Sequence, residues 1–400
     1  MKIYYITDVI LDDRIVHATH INEVCKNFVV LGHAVILYAP TTNKFKTSVN
    51  YKIKFVPKSS FLSSISYQIN LFIRLSLHIR KERPDILYCR QGQFLFVPAT
   101  ISKIFSIPIF FEVNGQLIDE SKQINKNFIY KLILFFKVLN IIEFFNVRCA
   151  SGFIVVSQGI KDYLLKTYKI NPEKITVIAN GVNTEIFKPI PSLDTRRKLN
   201  LDTKSIYVGY IGSLHSWQGL KYVAEAARLV CSKKNGVKFL IVGDGGDYDY
   251  IYRFIRDNKI ERFLEIRPAV THNLIPLYIN AMDICLSYPL KIRGGSASPF
   301  KVYEYLACGK AVVVSDISGI REEFGDAVLY SEPESPDKLA HVIISIIDDE
   351  DKRQKIGQLG LKFIENGHSW QTVTKKISAF CEEIALRYSR HHRTSQGGLS

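Results

Sequence analysis

The chain contains no C-x-x-C pair: its seven cysteines, Cys25, Cys89, Cys149, Cys231, Cys285, Cys308 and Cys381, are odd in number and scattered. That spacing speaks against a zinc knuckle or a dithiol centre, and reduced thiols in a cytosol are expected. No glycine occurs between Asp8 and Ile15, so the first strand is not followed by the G-x-G-x-x-G turn of a dinucleotide-binding dehydrogenase. The most apolar stretch, 128–145, is interrupted by Lys131, Lys137, Asn140 and Glu143 and falls short of the roughly 20 apolar residues of a membrane span. The N-terminal residues lack the apolar core and small-residue cleavage site of a signal peptide, and a cytoplasmic protein is expected. No Asp-x-Asp flanked by apolar strands offers a manganese site, and Asp247-Tyr-Asp249 reads as a helix start. His17 and His20 share a helical face without further ligands in view, so neither a metal nor another cofactor is expected.

What is present is a chain of 400 residues, 47% hydrophobic and 23% charged, enough for two hydrophobic cores. Its basic charge is uneven: residues 1–190 hold 24 Lys+Arg against 13 Asp+Glu, net +11, and residues 191–400 hold 29 against 25, net +4. A basic cluster runs through Lys44, Lys46, Lys52, Lys54, Lys58, Arg74, Arg80, Lys81 and Arg83, with Phe45, Tyr51, Phe55, Phe61, Leu62, Tyr67 and Phe72 interleaved. Such a mixture suits peripheral contact with an anionic membrane. By charge alone it equally suits nucleic acid, or a solvated face whose aromatics belong to the core.

Short runs apolar on both faces alternate with helix-type segments: 2–7, 34–38, 85–89, 108–113, 152–156 and 174–178, then 206–210, 238–242, 263–267, 284–287 and 311–315. Runs of this kind predict buried parallel strands. Residues 17–31 have a helical period stopped by Gly32, completing a β-α-β unit. The pattern restarts after a Pro-bracketed stretch at 188–201, which predicts two doubly wound α/β domains, 1–188 and 189–372. Ligand is expected outside the carboxyl ends of their strands. A further helix is predicted at 373–388, followed by a disordered tail at 389–400.

The most informative segment is Ser296-Ala-Ser-Pro-Phe-Lys-Val-Tyr-Glu-Tyr-Leu-Ala-Cys-Gly309. Ser298 predicts an N-cap, Pro299 the first helical position and Gly309 a left-handed terminator. A helix N-terminus facing the ligand would offer N–H groups to a phosphate. Lys301 and Glu304, on one face of this helix, offer a cation for that phosphate and a carboxylate acceptor for both ribose hydroxyls. An ordinary surface ion pair would have the same spacing.

This segment resembles glycosyltransferase family 4, retaining enzymes of the GT-B fold, with Glu304 matching the second of the family's two glutamates. Tyr210-Ile-Gly-Ser-Leu-His-Ser-Trp-Gln-Gly219 resembles the family's first donor loop, Leu240-Ile-Val-Gly-Asp-Gly-Gly246 its second Gly-rich turn, and Ala179-Asn-Gly-Val182 its interdomain connection. Phe110-Phe-Glu-Val-Asn-Gly115 and 152–157 also look like the family, so the resemblance spans about 1–386. It departs from the family at Ser296, where the first glutamate would stand, at Ser213 and Gln218, where many members hold an arginine and a lysine, and at Pro299, where a glycine is common. The S-P-x-K-x-x-E-Y form, with Trp217 in the first loop, resembles a subset of the family.

The resemblance implies two Rossmann-like domains facing across a cleft, the first binding acceptor and the second a UDP- or GDP-sugar, with the helix at 373–388 crossing back. It implies retaining transfer to a saccharide, with a polyprenyl-linked saccharide of a capsule, O-antigen or exopolysaccharide pathway as the leading acceptor, and no nucleic-acid partner. The implied donor residues are Gly212, Ser213, Trp217, Gln218, Gly243, Asp244, Gly245, Arg293, Ser296, Ser298, Phe300, Lys301 and Glu304, with Lys291 a further nearby cation. Asn114 stands where many members carry a histidine near the reacting sugar; Gly115, Glu112, Arg90, Arg14 and Glu120 lie at or after strand ends and are candidate acceptor residues. Lys301, Glu304 and Asn114 are the expected catalytic set. A sugar-nucleotide epimerase or hydrolase of the same architecture, or a silent sugar-nucleotide-binding protein, would share the donor residues.

Overall fold

A computed structural model of the chain describes residues 1–12, 16–42, 45, 48–58, 63–92, 94–115, 129–293 and 298–396. Arg14, Glu120 and Ser296 lie outside the described residues, as do Lys44, Lys46, Phe61 and Leu62 of the basic cluster. The chain divides into two compact units, Met1–Ala179 with Trp370–Ser400, and Asn180–Ser369.

The first unit is a parallel sheet of seven strands: β1 (Lys2–Ile6), β2 (Ala34–Pro40), β3 (Lys52–Val56), β4 (Ile86–Arg90), β5 (Ile109–Val113), β6 (Gly152–Val155) and β7 (Ile175–Val177). Their order is β3-β2-β1-β4-β5-β6-β7. Among the described residues the helices connecting them are α1 (Val16–Val30), α2 (Ser63–Lys81), α3 (Val97–Phe105), α4 (Ile129–Cys149) and α5 (Gln158–Tyr168). β4, β5 and β6 are wholly buried, as apolar runs between two helix layers require. Chain order reverses at β1, which pairs in parallel with both β2 and β4. That reversal opens a crevice at the carboxyl ends of β1 and β4, next to Asp8 and Arg90.

Two strands escaped the sequence pattern. β3 is an edge strand whose Lys52 and Lys54 point to solvent, so it never reads as an apolar run; lysines there also guard the open edge against pairing. β13 (Leu329–Ser331), in the second unit, is too short to show a period. The basic cluster accordingly divides between an edge strand and α2, and Tyr51 and Tyr67 belong to the core while Phe72 is exposed.

The second unit repeats the architecture with β8 (Ile206–Ile211), β9 (Val237–Val242), β10 (Leu264–Arg267), β11 (Ile284–Ser287), β12 (Ala311–Ser315) and β13 in the order β10-β9-β8-β11-β12-β13. Its helices are α6 (Ser192–Lys198), α7 (Leu220–Lys233), α8 (Tyr248–Asp257), α9 (Ile275–Ala281), α10 (Phe300–Ala307), α11 (Ile320–Phe324), α12 (Pro336–Ile347) and α13 (Glu350–Glu365). Here the reversal falls at β8, between β9 and β11. The residues leaving that point are Gly212 and Ser213.

The last helix, α14 (Trp370–Gln396), belongs to the first unit. It begins before Val373 and continues past Tyr388, so residues 389–396, expected to be disordered, are helical. All seven cysteines are free. Among the described residues no helix is long and apolar enough to cross a membrane.

Candidate functional site

In the second unit the two glycine turns lock against each other. Gly212 donates its N–H to Val242 at 3.0 Å, and a Cβ on Gly243 would sit 1.9 Å from the Gly212 carbonyl oxygen. No other residue fits at Gly243 without moving backbone. Leu214 N–H donates to the Asp244 carbonyl at 2.8 Å, and the Asp244 carboxylate accepts Gly245 N–H at 2.8 Å, so this side chain fixes its own turn. Asp247 is the N-cap of α8, as the sequence predicts for a helix start.

Above these turns lies Lys301. Its ammonium donates to the Tyr210 hydroxyl at 2.6 Å and to Gln218 Oε1 at 3.1 Å, and a Cβ on Gly212 would sit 3.0 Å from it. Four positions singled out separately in sequence, Gly212, Gln218, Gly243 and Lys301, thus meet at the switch point. Desolvation pushes Lys301 down to about 7, against the pull of the Glu304 carboxylate. Glu304, one helical turn further on, is partly exposed and lies 3.9 Å from His272 Nε2.

The start of α10 differs from expectation in one respect. Pro299, not Ser298, is the N-cap, no side chain caps the helix, and Phe300 is the first helical residue. The Ser298 hydroxyl is drawn away to Glu323 Oε1 at 2.7 Å, while the Ser298 carbonyl accepts from Asn180 Nδ2 at 2.9 Å. Gly309 ends the helix in the left-handed region, φ 66°, as expected.

Trp217 stacks on His215, ring centroids 4.4 Å apart, and its carbonyl accepts from Leu290 N–H at 2.9 Å. That bond ties the first loop to the turn Lys291–Arg293 that follows Leu290. Ser213 is exposed, and its carbonyl accepts from the Tyr210 hydroxyl at 2.7 Å.

The first unit carries a second polar cluster at its own switch point. Glu112, on β5, is buried and accepts from Asn114 Nδ2 at 2.6 Å, Tyr88 at 2.9 Å and Arg90 Nη1 at 3.2 Å, with His20 Nε2 at 2.5 Å. Burial alone would raise the Glu112 carboxyl; the bonds from His20, Arg90 and Asn114 outweigh it and hold the group far below the usual carboxylate range. Burial lowers His20, against the pull of the Glu112 carboxylate. Arg90 Nη2 faces His17 Nδ1 at 3.0 Å. A guanidinium can only donate, so that ring nitrogen accepts and the His17 proton sits on Nε2. Asp8 completes the edge: its carboxylate lies over Gly92, where a Cβ would be 2.1 Å from Oδ2.

Arg90, Glu112 and Asn114 are thus brought together, with Gly115 following directly. Sequence reasoning missed the roles of His17, His20 and Asp8 here, and of Tyr210 and Glu323 in the second unit. In the sequence Asp8 is legible only as the residue that ends the first apolar run, and the two histidines only as a pair on one helical face. Among the described residues no cluster of His, Cys, Asp and Glu side chains is arranged to hold a metal ion.

Two family models match consecutive stretches of the chain: Glycosyltransferase Family 4 over residues 17–186 and Glycosyl transferases group 1 over residues 192–363. A UDP-Gal:alpha-D-GlcNAc-diphosphoundecaprenol alpha-1,3-galactosyltransferase of Escherichia coli is 25% identical over 321 residues, 78% of this chain and 78% of that protein. A glycosyltransferase of Rickettsia africae superposes with a TM-score of 0.73 at 19% identity, over 96% of this chain and 98% of its own. Anabaena HepE, solved in complex with UDP and glucose, superposes with a TM-score of 0.76 at 18% identity, over 96% of this chain and 100% of its own. With two parallel, doubly wound units and both family models in register with them, the chain is a glycosyltransferase of the GT-B fold, related to the family 4 and group 1 glycosyltransferases.

Proposed function

We propose that the protein moves a sugar, with retention, from a UDP- or GDP-sugar to a saccharide on a lipid carrier during assembly of a cell-surface polysaccharide. The observation that carries the donor half is the position of Lys301, an ammonium held over the Gly212 turn at the switch point of the second unit. The donor diphosphate lies between that ammonium and the first turn of α10, and Glu304, on the same face of the helix, takes the ribose hydroxyls. Charge building on the departing diphosphate meets a cation and backbone dipoles already in place. The acceptor saccharide binds at the polar cluster of the first unit, where Asn114 and His17 Nε2–H offer hydrogen bonds to hydroxyls. The E. coli relative, which by its name acts on a diphosphoundecaprenol-linked sugar, supports a lipid-linked acceptor. Peripheral contact of the basic first unit with an anionic membrane belongs to the same reading.

Lys301 and the helix terminus supply the countercharge in this scheme, so transfer proceeds without a divalent metal; activity abolished by chelator and restored by manganese would count against it. The direct test is calorimetric titration with UDP-, GDP-, ADP- and dTDP-sugars, with Glu304→Ala beside the native chain. One nucleotide class should bind, and the variant should bind it about tenfold or more weakly, the cost of one or two hydrogen bonds to a charged acceptor. A donor that binds but is neither transferred to any acceptor nor converted would favour the silent binding protein. A changed or freed sugar without acceptor would favour an epimerase or hydrolase.

A further inference from the structure

Helix α2 is apolar on two opposite faces. Tyr67, Leu71, Leu75 and Ile79 are buried against the sheet, while Ile65, Ile69, Ile73 and Leu77, two residues out of step and so on the far side, are each at least half exposed. A surface helix normally keeps its outer face polar. Beside this stripe, between α2 and α3, opens a pocket of about 770 Å³, walled mainly by Ile65, Ile69, Phe72, Phe94, Phe96 and Val97. That volume lies within the range of small-molecule sites. Neither helix contains Asp or Glu, whereas Arg74, Arg80, Lys81 and Lys103 stand on them. The pocket therefore joins an apolar wall to two helices whose charged side chains are all basic, which suits a hydrocarbon chain with an anionic head.

Its location narrows the occupant. The Tyr67 hydroxyl donates to the carbonyl of Thr7, at the carboxyl end of β1, and Gln68 Oε1 accepts Val97 N–H at 3.2 Å, tying α2 to the start of α3. Phe94, in the wall, is two residues from Gly92, over which Asp8 lies. One end of the pocket thus belongs to the sheet edge that carries Asp8, Arg90 and Asn114, where the acceptor saccharide was placed.

We propose that this pocket holds the hydrocarbon chain of an isoprenoid-diphosphate carrier and so presents the carrier's saccharide to the polar edge of the first unit. The inference rests on the lipid-linked acceptor of the preceding section and adds the place where the lipid is held.

The test uses the full chain and a fluorescent short-chain isoprenoid diphosphate kept below its micellar concentration. Saturable binding is expected, weakened at least tenfold by Ile69→Asn, which makes the wall polar, and by Thr100→Trp, which fills the pocket from α3 without adding charge. An unchanged far-UV circular dichroism spectrum and a native-like urea midpoint of the first unit show that both variants are folded. Probe binding equal to that of the native chain in both folded variants overturns the pocket, even where the native enzyme glycosylates a lipid carrier. Equal competition by lysophosphatidylglycerol overturns the isoprenoid assignment. Probe binding lost in the variants, with no transfer to any lipid carrier by the native chain, supports the pocket and sinks the transferase reading instead.

Discussion

The ammonium of Lys301 donates to the hydroxyl of Tyr210 at 2.6 Å and sits 4.0 Å from the centroid of the same ring. Tyr210 is on β8 and Lys301 on α10, so this contact fixes the helix over the strand whose end forms the first glycine turn.

Because desolvation lowers Lys301 to about 7 in the empty site, the group is mainly neutral at pH 8. A diphosphate bound beside it, as proposed, would restore its charge and draw the proton from solvent. Donor binding at pH 8 should take up about one proton, read as the slope of binding enthalpy against buffer ionisation enthalpy, and affinity should fall as pH rises above 7 by up to about tenfold per unit. Lys301→Met should bind donor weakly with no slope. Equal slopes in the two proteins would remove Lys301 from the phosphate site.

Gly212 has φ +147°, and a Cβ there would approach Lys301 Nζ to 3.0 Å. Gly212→Ala should therefore cost about 1–2 kcal/mol of stability through backbone strain. It should also lower donor affinity about tenfold by displacing the ammonium, an effect worth about 1.4 kcal/mol. Denaturation and donor titration measure the two separately, and an intact donor affinity would show that the ammonium's place beside the turn is dispensable.

Glu323 accepts from Tyr303 and from Ser298, but its other oxygen, Oε2, is buried without a hydrogen-bond partner. Burial raises the carboxyl to about 7 while the two hydroxyls pull it down. The folded state thus holds this proton more firmly than the unfolded state, whose carboxyl titrates near 4.5. The stabilisation is complete below 4.5 and lost as pH rises through 7. Glu323→Gln keeps an acceptor for both hydroxyls and never ionises, so at pH 8 it should be more stable than the native chain by about 1–2 kcal/mol. Melting curves at pH 5 and pH 8 check this; a difference that does not grow with pH contradicts it.

The parts of this architecture that were legible in sequence are those written as periodicity. Apolar runs such as 284–287 and 311–315 coincide with β11 and β12, because a strand buried on both faces has no other way to be written. The switch points were not legible, since strand order depends on where crossovers land. Without the order, nothing says that Gly212, Gln218 and Lys301 meet. Ser298 misled for a related reason: its composition predicts a cap, but the through-space partner Glu323 competes for the same hydroxyl. His20 and Glu112, far apart in sequence, became partners only once α1 and β5 were packed.

That buried partnership carries the last prediction. Glu112 stays ionised inside the first unit because Arg90, His20 and Asn114 surround it, and Arg90 is the permanent cation among them. Replacing Arg90 with methionine keeps most of the stem and removes the charge, leaving the buried carboxylate without its permanent cation. Breaking a buried pair in this way costs about 3–5 kcal/mol, whereas removing both charges together leaves much less unsatisfied. Arg90→Met should therefore lower the urea midpoint of the first unit sharply, and Arg90→Met/Glu112→Gln should recover a large part of the loss. The sign with pH follows from the depressed carboxyl: in the native chain its contribution is present above the ordinary carboxylate range and lost only in strong acid. In Arg90→Met the carboxyl rises, so the variant should be closest to the native chain at low pH and furthest from it at neutral pH. A double variant no more stable than Arg90→Met would mean that the guanidinium acts through packing and its bond to His17, not through the charge of Glu112.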